Sequence, residues 1–390
     1  MRNRLYIDDT RQRVRSGHPW VYGNQVLRMD GRPAPGDVVQ VFDVKRGPLG
    51  QGYFNPLSQI RVRMLTKDLD EPIDAGFFRR KVQAAWDLRI RMGQPASCRV
   101  VFGEADGLPA LVVDKFNDVL VVQTLALGMD RFKAEVVQAL REVVQPRGIY
   151  ERNDVPVREK EGLPQVKGFI GEAFDTRLEI RENDLLFAVD VAEGQKTGHF
   201  LDQRLNHVAL EHMARGAKVL DCFTHTGGFA LHAAKYGARE VLGLDISADA
   251  VELARHNARL NGLEGTCRFE AVNVFDFLSS PAAAGGPWDV VVLDPPAFAK
   301  SRAALDGALR GYKEINLRAI KMLPPGGFMV TCSCSQHMVT DLFRQTIADA
   351  AKDAHRELRE VYRGGQPSDH PVHWSIPETH YLKCMVLQVL

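Results

Sequence analysis

Cysteine is scarce in this chain of 390 residues: six, at Cys98, Cys222, Cys267, Cys332, Cys334 and Cys384. So few thiols exclude a disulfide framework and read as the reduced side chains of a cytoplasmic protein. Long apolar runs are also missing. No stretch approaches the roughly 18 residues needed to cross a bilayer. The opening MRNRLYIDDTRQRVR lacks the apolar centre of a signal peptide. Secretion and a membrane partner are therefore not expected. There is no internal repeat and no low-complexity tract. Net charge is nearly absent at +1, with 45% apolar and 25% charged residues, which describes an ordinary globular protein. The length suggests two or three domains.

The charge is unevenly spread. Residues 1–66 hold eleven Lys and Arg against five Asp and Glu, a local +6, so the remainder carries −5. A basic module on an acidic body points to a polyanion such as a nucleic acid, although a solvated basic surface has the same composition. Arg11, Arg13 and Arg15 alternate, and an extended segment would project all three from one face. The module reads as short strands, including VVQVFDV and IRVRMLT, between turn-rich segments.

After a boundary near Asp68 to Pro72, the spacing predicts a helix from Ala75 to Met92. LPALVVDKF and VLVVQTL form a hairpin about Asn117-Asp118, followed by a helix from Met129 to Val144 and a strand at IYERND. RLEIREN and DLLFAVDV form a second hairpin about Asn183-Asp184. The order strand, strand, helix, strand, strand makes a small α+β module. From about Val191 strands and helices alternate, the α/β pattern of a doubly wound, Rossmann-like parallel sheet. Its strands are AKVLDCF, EVLGLDIS, TCRFEAV, WDVVVLDPP, GGFMVTCSCS and the final HYLKCMVLQVL. The domain expectation is 1–70, 71–185 and 186–390.

Three strand ends carry acids. Asp221 leads into Phe223-Thr224-His225-Thr226-Gly227-Gly228, where small residues let backbone approach a ligand. Asp245 ends the second strand, placed for the two hydroxyls of a ribose, and Asp276 follows the third, within reach of an adenine amino group. Each alone is more often a helix cap than a ligand. Together they describe a pocket for an adenosine-containing ligand. Between Asp221 and the next helix there is neither the nicotinamide fingerprint G-x-G-x-x-G nor a Walker loop, so hydride transfer and phosphate cleavage lack their machinery.

With Asp294-Pro295-Pro296 ending the fourth strand, the set resembles class I methyltransferases that use S-adenosylmethionine. Phe223 and His225 stand where that family's first two glycines would be, and Gly227 is kept. Cys334, in Thr331-Cys332-Ser333-Cys334-Ser335, follows the neighbouring strand, and adjacent strand ends lie about 5 Å apart. A thiol and a carboxylate on one cleft suit methylation of carbon 5 of a pyrimidine. That carbon becomes nucleophilic only when a thiolate adds at carbon 6. Cys334 is then the nucleophile, and Asp294 hydrogen-bonds the ring nitrogen or amino group. Cys332 reads as structural. Cys332, Cys334 and His337 lack a second paired cluster, so no metal is expected.

Nearly the whole chain resembles the RlmI-like family of bacterial 23S rRNA 5-methylcytosine methyltransferases. The matching segments are Gly17-His18-Pro19-Trp20-Val21-Tyr22, Glu193 to Arg204, the Asp221 loop, Asp294-Pro295-Pro296, Thr331 to Ser335, Asp369-His370-Pro371 and Tyr381-Leu382-Lys383. The resemblance implies an N-terminal PUA-type RNA-binding domain, a family-specific middle module and a methyltransferase domain. It also implies that the stretch with Lys196, Thr197, Phe200 and Gln203 borders the methionine end of the cofactor. By the same resemblance Cys334, not Cys332, is the nucleophile, and Ala297 stands where many relatives carry a second cysteine. Two other readings stay open: an amino-group methyltransferase acting on adenine or guanine, and an RNA-binding or assembly protein that no longer binds the methyl donor. A homodimer is common among such enzymes, but no segment marks an interface.

Overall fold

The computed structural model describes residues 3–94, 96–280, 288–299 and 301–390, which fold into two compact units. The first comprises Met1–Ile180, Val189–Leu201 and Ser368–Thr379; the second comprises Arg181–Ala188, Asp202–Pro367 and His380–Leu390. Among the described residues no helix is long and apolar enough to cross a membrane.

The first unit contains two sheets. A six-stranded sheet runs in the order Trp20–Tyr22, Ile60–Thr66, Gly47–Phe54, Val38–Asp43, Arg4–Ile7 and Val26–Asp30, over a core of Leu5, Ile7, Val21, Val39, Val41 and Val62. The expected extended run through Arg11, Arg13 and Arg15 is not there. The buried Asp9 carboxylate accepts the amides of Val14 at 3.3 Å and Arg15 at 3.0 Å, and Gln12 turns with φ 52. A side chain that satisfies local amides in this way competes with strand formation. The alternating arginines are therefore wound into turns instead of sharing a strand face.

A five-stranded sheet follows in the order Val166–Phe169, Gly148–Asn153, Val119–Thr124, Leu111–Phe116 and Cys98–Phe102. The helix Ala75–Arg91 buries Phe77, Phe78, Val82 and Ala85 against it, and Lys133–Val143 buries Val136 and Leu140. Asp74 caps the first helix by accepting the amide of Phe77. Two of these strands, Cys98–Phe102 and Val166–Phe169, lie outside the strand order expected from the pattern. The hairpin Arg177–Glu182 with Leu185–Asp190 is a separate two-stranded ribbon. Its turn places Asn183 and Asp184 at φ 47 and 67, the double left-handed geometry that Asn and Asp tolerate.

The second unit is built on a seven-stranded sheet: β1 (Lys218–Cys222), β2 (Glu240–Asp245), β3 (Cys267–Ala271), β4 (Val290–Leu293), β5 (Phe328–Ser333), β6 (Leu358–Gly365) and β7 (Lys383–Val389). The spatial order is β3-β2-β1-β4-β5-β7-β6. The first five strands are parallel, and β7 runs antiparallel to both β5 and β6. Helices α1 (Gly228–Lys235), α2 (Ala248–Leu260), α3 (Val274–Ser279), α4 (Leu305–Met322) and α5 (Thr340–Asp353) connect the strands. Central strands covered on both sides are apolar throughout, as in β4, where all four residues are buried. The order reverses between β1 and β4, and in such sheets ligands bind beyond the carboxyl ends of the strands at that reversal. Strand β6 was not legible in the pattern, because as an edge strand its LREVYRGG is half exposed and has no buried residue.

Candidate active site

Beyond β1 the chain passes through Phe223, His225 and Gly227 at φ 65, 51 and 91. The two residues standing at the family's glycine positions thus keep a left-handed backbone, at roughly 1–2 kcal/mol each for a side-chain-bearing residue. Hydrogen bonds hold the loop in place. The Thr224 amide donates to the Leu244 carbonyl at 2.8 Å, and the His225 amide donates to Asp245 Oδ2 at 2.9 Å. Asp221 is 1% exposed, and its Oδ2 accepts from the Thr224 hydroxyl at 2.6 Å and the Ala230 amide at 3.0 Å. Its Oδ1 has no partner among the described residues. Burial raises the Asp221 pKa to about 7, with the Thr224 hydroxyl pulling the other way and the Asp294 charge adding to the rise.

Asp245 also accepts the Ser247 amide at 2.9 Å, and Ser247 caps α2. Ile246, next in sequence, exposes 74% of its surface, an apolar face beside that carboxylate. Asp276 lies exposed in the first turn of α3, which Asn273 caps. A buried carboxylate oxygen without a partner among the described residues, a loop with three left-handed residues, an acid at the end of the neighbouring strand and another in the first turn of α3 fit a donor-rich nucleoside ligand with a cationic end. S-adenosylmethionine has those properties.

The residues expected to react, Asp294 and Cys334, lie just beyond the ends of the next two strands. Leu293 in β4 pairs with Thr331 in β5, so Asp294 comes level with Cys332, and Cys334 lies two residues farther toward the cleft. Cys332 is fully buried, its register partner in β7 is Cys384, and burial pushes its thiol pKa well up. Cys334 is the one cysteine of the six that is not buried. The two motifs are joined: the Ala299 amide donates to Ser335 Oγ at 3.3 Å. Tyr312 of α4, fully buried, sets its hydroxyl between Ser333 Oγ at 3.0 Å and Ser335 Oγ at 3.2 Å. Phe298 packs on Tyr312 with ring centroids 4.7 Å apart. Tyr312 has no motif signature; only the helical spacing of buried residues in α4 points inward at it.

The other expected residues make the following contacts. Gln203 donates to Asp294 Oδ2 at 2.9 Å and accepts from Asn206 at 2.6 Å, so it orients the Asp294 carboxylate. Lys196, Thr197 and Phe200 belong to the first unit. There the Lys196 ammonium lies 4.1 Å from the Phe200 ring centroid, and Thr197 donates to Asp114 at 2.6 Å. Arg13 pairs with Glu378 and lies over the Tyr22 ring, and Arg15 donates to the Arg46 carbonyl at 2.9 Å. Burial alone would raise Glu378, but His18 and Arg13 hold it down at about 2. The buried trio Glu182, His207 and His232 has its ligand atoms within 4.8 Å of one another. Its atoms bond among themselves and to the backbone: His207 Nδ1 with Glu182 at 2.6 Å, His232 Nδ1 with the Gly228 carbonyl at 2.7 Å. It is a polar network beside α1.

Comparison with known proteins agrees with this geometry. The family described as S-adenosylmethionine-dependent methyltransferase matches residues 164–373, and a PUA-like domain matches residues 8–67. Ribosomal RNA large subunit methyltransferase I of Tolumonas auensis is 41% identical over 397 residues, covering 100% of both chains. The protein of that name from Shewanella denitrificans is 43% identical over 378 residues, covering 95% of each. Among solved structures, a chain from Streptococcus mutans assigned to the SAM-dependent methyltransferases superimposes with TM-score 0.85 at 20% identity over 100% of both chains. A methyltransferase crystallised with SAH gives 0.86 at 19%, again over 100% of both. At those identities the likeness speaks to the fold. The profile spans more than half of the chain and the relatives align over nearly all of it: the chain belongs to the ribosomal RNA large subunit methyltransferase I family, enzymes that depend on S-adenosylmethionine.

Proposed function

We propose that this enzyme methylates carbon 5 of a cytosine in 23S ribosomal RNA through a covalent bond to Cys334. The observation that carries the reading is the single partly exposed thiol, at a strand end tied to the Asp294 loop through Ser335 and Tyr312. Asp221, Phe223, Thr224, Gly227, Asp245 and Asp276 form the donor site in this reading, and Lys196, Thr197, Phe200 and Gln203 keep the role at the methionine end that the family resemblance implies. Bound there, S-adenosylmethionine supplies an electrophilic methyl group on a sulfonium. The Cys334 thiolate adds to carbon 6 of the base and makes carbon 5 nucleophilic. Asp294, fixed by Gln203, holds the ring nitrogen or amino group as charge builds there. Carbon 5 takes the methyl group as the sulfonium–methyl bond breaks to a thioether. A base then takes the carbon 5 proton, the ring double bond is restored, and the carbon–sulfur bond breaks to return the thiolate.

The division of labour follows the three segments 1–70, 71–185 and 186–390, with Arg11, Arg13 and Arg15 on the RNA-binding module and the cytoplasm as the setting. RNA carrying 5-fluorocytosine tests the mechanism, because a fluorine at carbon 5 blocks the release step. The wild-type enzyme should form a conjugate that survives denaturation, and Cys334→Ser should form none and lose methylation. Undiminished methylation by Cys334→Ser would contradict the covalent route and favour the amine-methylating reading.

A further inference from the structure

Lys383 is the first residue of β7 and the register partner of Ser333, the residue before Cys334. It is 4% exposed. Its Nζ donates to the carbonyl of Ser335, the residue after Cys334, at 2.7 Å, and to the carbonyl of Tyr381, also at 2.7 Å. The side chain thus starts opposite one neighbour of Cys334 and ends on the carbonyl of the other, and the Cys334 charge acts on it. Among the described residues no carboxylate pairs with this ammonium. A buried cation held only by backbone dipoles is costly unless an anion compensates it.

The groups around the pair are few. Tyr312 of α4 stands between Ser333 and Ser335, and burial raises its pKa, so it stays neutral. Asp294, at the end of β4, is engaged by Gln203. Cys332 and Cys384 face each other inside the sheet, both buried. His380 is exposed three residues before Lys383, and burial and the charge of Lys383 lower its pKa. The anion best placed to balance the ammonium is the thiolate of Cys334.

We propose that Lys383 is the positioning residue that holds Cys334 as a thiolate and takes up its charge again when the base is released. The inference rests on the reading of Cys334 as nucleophile. The electrons balance with the methyl donor and a base. The sulfur lone pair forms the bond to carbon 6, and the displaced ring pair forms the bond from carbon 5 to the methyl group as the sulfonium–methyl bond breaks to a thioether. When a base takes the carbon 5 proton, the carbon–hydrogen pair restores the ring double bond and the carbon–sulfur pair returns to sulfur beside the ammonium. This charge lowers the cost of both steps. Burial brings Lys383 down to about 8, with the Cys334 charge pulling the other way, so the lysine is still protonated at neutral pH. Thiols beside such cations are well below their usual range.

The test uses the full-length enzyme without RNA. The other five cysteines are buried, so the rate of iodoacetamide alkylation against pH reports the Cys334 thiolate. In the wild-type protein the rate should rise with a midpoint below the ordinary thiol value of about 8.5. Lys383→Met should move the midpoint up by about one pH unit, a roughly tenfold slower reaction at pH 7. Lys383→Arg should keep the low midpoint, and S-adenosylmethionine binding by calorimetry shows whether each variant is folded. Identical profiles for wild type and Lys383→Met would overturn the proposal. If Lys383→Met does not fold, a wild-type midpoint at or above about 8.5 would overturn it equally. Neither result bears on whether Cys334 is the nucleophile, which the conjugate assay decides separately.

Discussion

Asp221 combines two features that rarely occur together: full burial and a carboxylate oxygen without a partner among the described residues. Burial raises its pKa to about 7, so near neutrality it is balanced between acid and carboxylate. A positively charged ligand favours the carboxylate. The sign follows from proton linkage: as pH falls through about 7 the protein must release a proton to bind, and affinity drops. S-adenosylmethionine binding should therefore weaken between pH 8 and pH 6, by at most about tenfold per pH unit. Asp221→Asn should bind more weakly and lose this dependence. Calorimetry at the two pH values checks both; a flat wild-type profile would detach Asp221 from the ligand. Asp221, Asp245 and Asp294 were legible because each ends an apolar run. Gln203 and Lys383 stood out only through the family resemblance, and Tyr312 not at all; their contacts with Asp294, Ser335 and Ser333 depend on a 3-10 turn, an antiparallel register and a helix face that local pattern does not encode.

At the scale of elements, the parallel strands were legible from continuous apolar runs, and the hairpins from Asn117-Asp118 and Asn183-Asp184. What escaped was β6, a half-exposed edge strand, and the two outer strands of the five-stranded sheet. The Asp221 loop shows a more specific limit. Phe223 and His225 lack the side-chain signature of a left-handed turn yet adopt it, at φ 65 and 51. Three hydrogen bonds, from Thr224 to Leu244 and Asp221 and from His225 to Asp245, hold them there. The Phe223 ring also packs beside Phe275 and Phe298, with centroids 6.3 and 6.5 Å away. Here tertiary contacts set the backbone against its local preference, so glycine counting alone misjudges the loop.

At the scale of the whole molecule, the chain returns to the first unit with Ser368–Thr379 and to the second with His380–Leu390, so neither unit is a continuous segment. Nothing in composition announces such a crossing. The uneven charge, by contrast, was plain: the N-terminal module carries +6. Its arginines do not line one strand. Arg11 is exposed, while Arg13 is engaged by Glu378 and Arg15 by Arg46. Reversing Arg11 and Arg15 to Glu should weaken RNA binding and reduce its salt dependence, while leaving S-adenosylmethionine affinity unchanged. Filter binding across a salt series measures this, and unaltered RNA affinity would remove these residues from the interface.

The most direct test of the account is the chemical identity of the product. Purified enzyme would be incubated with S-adenosylmethionine labelled in the methyl group and unmodified ribosomal RNA, and the RNA digested to nucleosides. The account predicts label in 5-methylcytidine. Label in a methylated adenosine or guanosine would contradict it and remove Cys334 from the chemistry.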